Sequence, residues 1–121
     1  MQSSKAVLLV SYQSELFAPH AEALTAVGYE VSHASTLSAA LGAVGPGSFD
    51  LLVLAPNIPA GDRRRIEAEA KRRHRNLRIV LFYQGERERD VFANAIMDMN
   101  GPAGDLVDTA QTLLSDARAA S

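Results

Sequence analysis

Residues 49–61 read Phe49-Asp50-Leu51-Leu52-Val53-Leu54-Ala55-Pro56-Asn57-Ile58-Pro59-Ala60-Gly61. Leu51 to Leu54 are consecutive branched apolar residues with no polar alternation. Such a run suits a parallel strand covered on both faces. An acidic residue precedes it, and a loop bearing proline and glycine follows. In an open α/β sheet the crevice outside the carboxyl ends of the strands holds the ligand. The first side chain beyond this run is Ala55, a methyl group with no chemistry to offer.

On the N-terminal side, Ala6 to Val10 is a second apolar run of strand length, followed by a Ser11-Tyr12-Gln13 loop. Ser14 reads as an N-cap, since Leu16, His20, Ala23, Leu24 and Val27 recur at helical spacing. Pro19 lies inside that pattern and removes a backbone bond. The helix therefore either kinks there or starts at Ala18 with Pro19 in its first turn. Gly28 ends it, and Tyr29 to Ala34 is a short second strand. Ser35 or Thr36 opens another helix with Leu37, Ala40, Leu41 and Val44 on one face. Gly45-Pro46-Gly47 breaks it.

On the C-terminal side, Asp62 is placed to cap a helix running to about Arg73, with Ile66 and Ala70 facing inward. Ile79 to Tyr83 is the fourth strand, and Gln84-Gly85 a turn. Residues 86–100 admit two readings. One is a short helix to about Asn94 and a strand from Ile96 to Met99. The other is a single longer helix stopped at Gly101-Pro102. A last helix from Asp105 to about Ala117 buries Leu106, Ala110, Leu113 and Leu114. Strands alternating with helices imply βαβ units with right-handed crossovers and a parallel sheet. The expected fold is a flavodoxin-like, doubly wound α/β domain spanning 1–121, with five parallel strands in the order 2-1-3-4-5. Its switch point lies between strands 1 and 3, so a ligand there meets Ser11, Tyr12 and the loop after Ala55.

A length of 121 residues is that of one domain, and 47% hydrophobic residues suffice for a core. A net charge of −2 exerts no general pull on nucleic acid or membranes. The absence of cysteine excludes disulfides, zinc-thiolate sites and thiol nucleophiles. No apolar run nears the roughly 18 residues of a membrane span. The start, MQSSKAVLLV, lacks the long apolar region of a signal peptide, and a cytoplasmic location is expected.

Several stretches in order carry a resemblance. They are Val7-Leu8-Leu9-Val10, Gly28-Tyr29-Glu30-Val31, Ala39-Ala40-Leu41, and Asp50 to Leu54 with Ile58-Pro59 and Gly61. Together they resemble the receiver domains of bacterial response regulators. The resemblance implies an acidic pair after strand 1 that binds Mg²⁺, and a phosphoacceptor aspartate after strand 3. It also implies a hydroxyl residue ending strand 4 and a lysine before a proline after strand 5. In this chain those positions hold Ser11 and Tyr12, Ala55, Tyr83, and Gly101 if Pro102 is that proline. Asn57 alone keeps a family role, through its backbone carbonyl. Mg²⁺ is recruited by carboxylates, and an acyl phosphate needs a carboxylate nucleophile. The expectation is a receiver fold released from phosphotransfer: not an enzyme, without metal or cofactor, acting on a protein partner in a two-component-type pathway. A phosphorelay receiver with non-standard chemistry is the other reading within the family. The family's usual output face places the possible interface at Ile96, Met97, Met99, Leu106 and Ala110. A homodimer is one outcome.

Arg63, Arg64, Arg65, Lys71, Arg72, Arg73, Arg75 and Arg78 fall in one short stretch, 63–78. This is either a patch for an anionic ligand or nucleic acid, or a solvated helix face. Glu67–Lys71 and Glu69–Arg73 at i,i+4 favour the solvated face, and no aromatics interleave for base stacking. His20, His33 and His74 are too dispersed for a metal site. Neither a nucleophile elbow nor a phosphate-binding glycine motif is present.

Overall fold

The computed structural model describes residues 5–13, 15–45, 49–86, 90 and 92–119, with 116–119 as backbone only. In chain order the elements are β1 (Ala6–Val10), α1 (Ala18–Ala26), β2 (Glu30–Ala34), α2 (Leu37–Val44) and β3 (Leu51–Leu54). There follow α3 (Ala60–Arg73), β4 (Arg78–Tyr83), β5 (Ala95–Asp98) and α4 (Ala103–Ala119). The strands form one parallel sheet in the expected order, β2-β1-β3-β4-β5. The two interior runs explain why. Val7 to Val10 and Leu51 to Leu54 are all fully buried, which requires helices on both faces. One layer pairs α1 with α4 and the other pairs α2 with α3.

Local chemistry sets the helix ends. Thr36 is the cap of α2, its Oγ1 accepting from the Ala39 N–H at 3.0 Å. Pro19 lies in the first turn of α1, where its missing N–H costs nothing, so the helix starts at Ala18. Ser14 lies outside the described residues, as do Pro46 and Gly47. Gly28 closes α1 at φ +100°, a region where a Cβ is disfavoured. His20 and Leu24 point inward as the spacing implies, whereas Val27 is half exposed. The helix after β3 begins at Ala60 behind Pro59, so Asp62 is not its cap. Asp50, at the opposite end of β3, accepts from the Ala6 N–H at 2.8 Å and ties the starts of β1 and β3 together.

Of the two readings for 86–100, the one with a strand holds, as β5. No helix precedes it among the described residues of 84–94. An Asx turn stands there instead: Asp90 Oδ1 accepts from the Phe92 N–H at 2.9 Å, and the Ala93 N–H reaches the Asp90 carbonyl at 3.3 Å. Asn94 then docks on β4. Its N–H donates to the Ile79 carbonyl at 2.7 Å, and its Oδ1 accepts from the Ile79 N–H at 2.8 Å.

Candidate functional site

The carboxyl ends of β1 and β3 bring Ser11, Tyr12, Ala55 and Asn57 to the same end of the sheet. Ser11 is buried, with its N–H on the Ala34 carbonyl at 3.0 Å. Its hydroxyl donates to the Gln13 carbonyl at 2.7 Å and accepts from the Gln13 N–H at 3.1 Å. The hydroxyl is thus spent on its own turn. Ala55 is 1% exposed and continues the ladder, its N–H on the Val10 carbonyl at 3.0 Å. Asn57 is exposed in the turn that follows, above buried Ile58.

Tyr12 leaves the β1 loop and reaches α3, where its hydroxyl donates to Asp62 Oδ2 at 2.9 Å. Burial, then the hydrogen bond and charge of Asp62, push the phenol up to about 12, so it stays a donor at neutral pH. Asp62 sits in the first turn of α3, where the helix dipole favours a carboxylate. Sequence reasoning took Asp62 for a cap. The two roles share one local signature, an acid at the start of a helix, and only the long-range partner tells them apart. These residues do not fit Mg²⁺. The Asp62 carboxylate is engaged by Tyr12, and no group of three or more His, Cys, Asp or Glu among the described residues is arranged to hold a metal.

Tyr83 and Gly101 stand further along the same end. Tyr83 is half-buried, and its carbonyl accepts from the Met99 N–H at 2.8 Å. The Gly101 N–H donates to the Asp98 carbonyl at 3.1 Å. Of the possible interface residues, Ile96, Met97 and Met99 are half-buried against the core. Leu106 and Ala110 are 0% exposed and belong to the core, which corrects their assignment to a contact surface. The apolar face of α4 is the face that the fold itself consumes.

The basic stretch is largely tied down. Arg63 Nε lies 3.4 Å from Asp90 Oδ2, with both side chains nearly buried. Lys71 Nζ donates to the Leu77 carbonyl at 2.7 Å. Arg72 and Arg73 both engage Glu69, at 2.9 and 3.1 Å. The Glu69–Arg73 pair therefore forms, but Glu67–Lys71 does not. Glu67 turns inward, 1% exposed, toward Asp90. Burial, and then the Asp90 carboxylate, raise its pKa to about 8, so it carries its proton at neutral pH. Arg64, Arg65 and Arg75 remain exposed. The histidines are dispersed. His20 is buried against Phe17 and Phe82, with ring centroids 5.3 and 5.2 Å away. His33 is exposed, and His74 Nε2 lies 3.1 Å from the Val44 carbonyl.

No protein-family model matches the chain, and no curated protein does. Solved structures do. The chain is similar to a CheY-like response regulator receiver domain protein from Methanospirillum hungatei JF-1. That match has a TM-score of 0.84 at 16% identity, over 98% of this chain and 100% of the other. It is similar to the chemotaxis response regulator CheY4 of Vibrio cholerae, with a TM-score of 0.78 at 18% identity over 92% and 99%. The response regulator TrrA of Thermotoga maritima, solved in complex with Mg²⁺–BeF, gives 0.77 at 21% identity over 90% and 98%. The fold is that of receiver domains. At these identities the likeness is one of fold, and the side chains at the strand ends have to speak for function. No helix among the described residues is long and apolar enough to cross a membrane.

Proposed function

We propose that this chain is a receiver-fold signalling module that acts by binding a protein partner and does not undergo phosphorylation. One observation carries the reading. At the switch point between β1 and β3, Ala55 offers no nucleophile, and the Tyr12–Asp62 bond spans from the β1 loop to α3. Phosphoryl transfer to a carboxylate needs an in-line nucleophile and a metal that shields charge on the phosphoryl oxygens. Neither requirement is met by Ser11, Tyr12, Ala55 or Asn57. With no phosphoryl group as input, nothing at this site biases one conformation over another. Function then rests on a surface that is always presented. The chain is incubated with acetyl phosphate and Mg²⁺ and read by intact mass. The expected result is no phosphoryl adduct, for the wild type and for Ala55→Asp alike. An acid-labile adduct on the wild type overturns the proposal. An adduct on the variant alone overturns the account of the metal site.

A further inference from the structure

We propose that the groove between α2 and α3 is the docking site for an acidic amphipathic helix of a partner protein, seated with an apolar side chain between Leu41 and Ala68 and with carboxylates on Arg65 and Arg72. This deepens the reading above by naming the chemistry of the partner. It rests on that reading only in taking the chain to act through a bound protein.

The two walls of the groove differ in kind. Leu37–Val44 contains no charged residue, and Ser38, Ala39 and Gly42 are exposed along it. A surface helix ordinarily turns charged and polar residues to water. This one turns an uncharged face instead. The other wall, α3, carries the cations. Eight of the 12 Lys and Arg lie in 63–78, with two of the 14 Asp and Glu, and one of those two, Glu67, is buried. A cleft of about 450 Å³ lies between the walls, lined by Leu41 from α2 and by Arg65, Ala68, Glu69 and Arg72 from α3. Leu41 is half-buried and Ala68 exposed, so the ground between the two arginines is apolar.

The electrostatics select an anion. Glu69 does not oppose one. Arg72 Nη2 holds both of its oxygens at 2.9 Å and Arg73 Nε holds one at 3.1 Å, so this trio keeps a net positive charge. Those bonds also fix Arg72 in place, which lowers the ordering cost of a new contact. Among the described residues, none forms an ion pair with Arg65. Arg65 and Arg72 are seven residues apart, about 10 Å along the helix axis and on one face. A helix lying alongside presents carboxylates at that interval when they too are seven apart, with an apolar residue midway on the same face. A nucleic acid fits less well. Its phosphates have no use for apolar ground, and no aromatic side chain lines the cleft to stack on a base. A long polyanion would also run onto the rest of the chain, which holds four cations and 12 acids.

The probe is an alanine-rich helical peptide with one Leu, a Glu three residues before it and a Glu four residues after it. It is titrated into the isotope-labelled chain and followed by amide NMR. Shifts are expected at Leu41, Ala68 and Arg72. Replacing both Glu by Gln, or the Leu by Ala, should each weaken binding about tenfold. Ala68→Glu keeps a good helix former and sets a carboxylate between the arginines, so it should abolish binding. Arg65→Glu and Arg64→Glu change the net charge equally, and both positions are exposed, but only Arg65 lines the cleft. The first should weaken binding about tenfold and the second by less than about threefold. If Ala68→Glu fails to fold, this pair decides. No shifts at millimolar peptide, equal losses from the two arginine variants, or indifference to the Leu overturns the proposal. Tighter binding of an oligonucleotide at the same arginines also overturns it, in favour of nucleic acid. Phosphoryl uptake would overturn the earlier reading while leaving this docking measurement standing.

Discussion

Two loops are fastened to neighbouring residues of α3, and they are fastened differently. The loop after β1 is held by Tyr12, a neutral phenol donating one hydrogen bond to half-buried Asp62. The crossover between β4 and β5 is held by Asp90, whose carboxylate lies 3.4 Å from Arg63 with side-chain exposures of 5% and 9%, and with protonated Glu67 beside it. The first fastening is cheap to lose, because water reaches both partners. The second is not, because both side chains are nearly buried and losing one removes charge that offsets the desolvation of the other. Beside the β1 loop, the switch-point positions hold alanine, serine and tyrosine, none of which carries a charge into the sheet end. In the crossover, the described Asp90 is held by charge against Arg63 of α3.

The largest effect is therefore expected at Asp90. Asp90→Ala should cost about 3 kcal/mol in urea unfolding, since it strips a carboxylate from a buried guanidinium. It should also raise hydrogen exchange at Asn94 and Ile79, which the turn aligns. A loss below about 1 kcal/mol, the scale of an exposed pair, would mean that the crossover holds itself.

What was legible follows from the range of the forces involved. Leu51 to Leu54 and Val7 to Val10 announce buried parallel strands because burial on both faces removes every polar residue from the run, a purely local signal. From those runs the strand order and the switch point follow, and with them the positions of Ser11, Tyr12 and Ala55. The tethers were not legible. Asp90 and Arg63 stand far apart in the chain, so neither residue advertises the other. Glu67 sits at ideal spacing for Lys71, yet turns to the interior because Asp90 and Arg63 are there. Leu106 and Ala110 marked an apolar face correctly, but periodicity cannot say whether that face meets the sheet or a partner.

Glu67 offers a second, smaller way to sharpen the contrast. Its pKa is raised from 4.5 to about 8 in the folded protein. Between those values the unfolded chain has released a proton that the native state keeps, so stability falls as pH rises through this window. His20 acts with the opposite dependence. Burial lowers its pKa from 6.5, so below that pH the unfolded chain binds a proton that the native state refuses, and stability falls as pH falls. The Glu67 contribution is thus read cleanly between about pH 6.5 and about pH 8. Urea midpoints of the wild type should decline across it, and those of Glu67→Gln should stay level. Parallel declines would show that another group titrates.

The smallest effect is expected at Tyr12. Tyr12→Phe removes one hydrogen bond to a carboxylate and should cost about 1 kcal/mol. Asp62 remains solvated and keeps its place in the first turn of α3, where the positive end of the helix stabilises it. The global cost is small, so the informative readout is local. Amide exchange at Gln13 should accelerate when the ring no longer anchors the loop, while exchange in β1 and β3 should not change. Asp62→Asn tests the same bond from the other side: without the carboxylate, the Tyr12 phenol should titrate below its present value of about 12, resolved by NMR from Tyr29 and Tyr83. If Tyr12→Phe destabilised the chain as much as Asp90→Ala, the two fastenings would be equivalent. The crevice between β1 and β3 would then be closed by a structural clamp of the same kind as the one that holds the crossover.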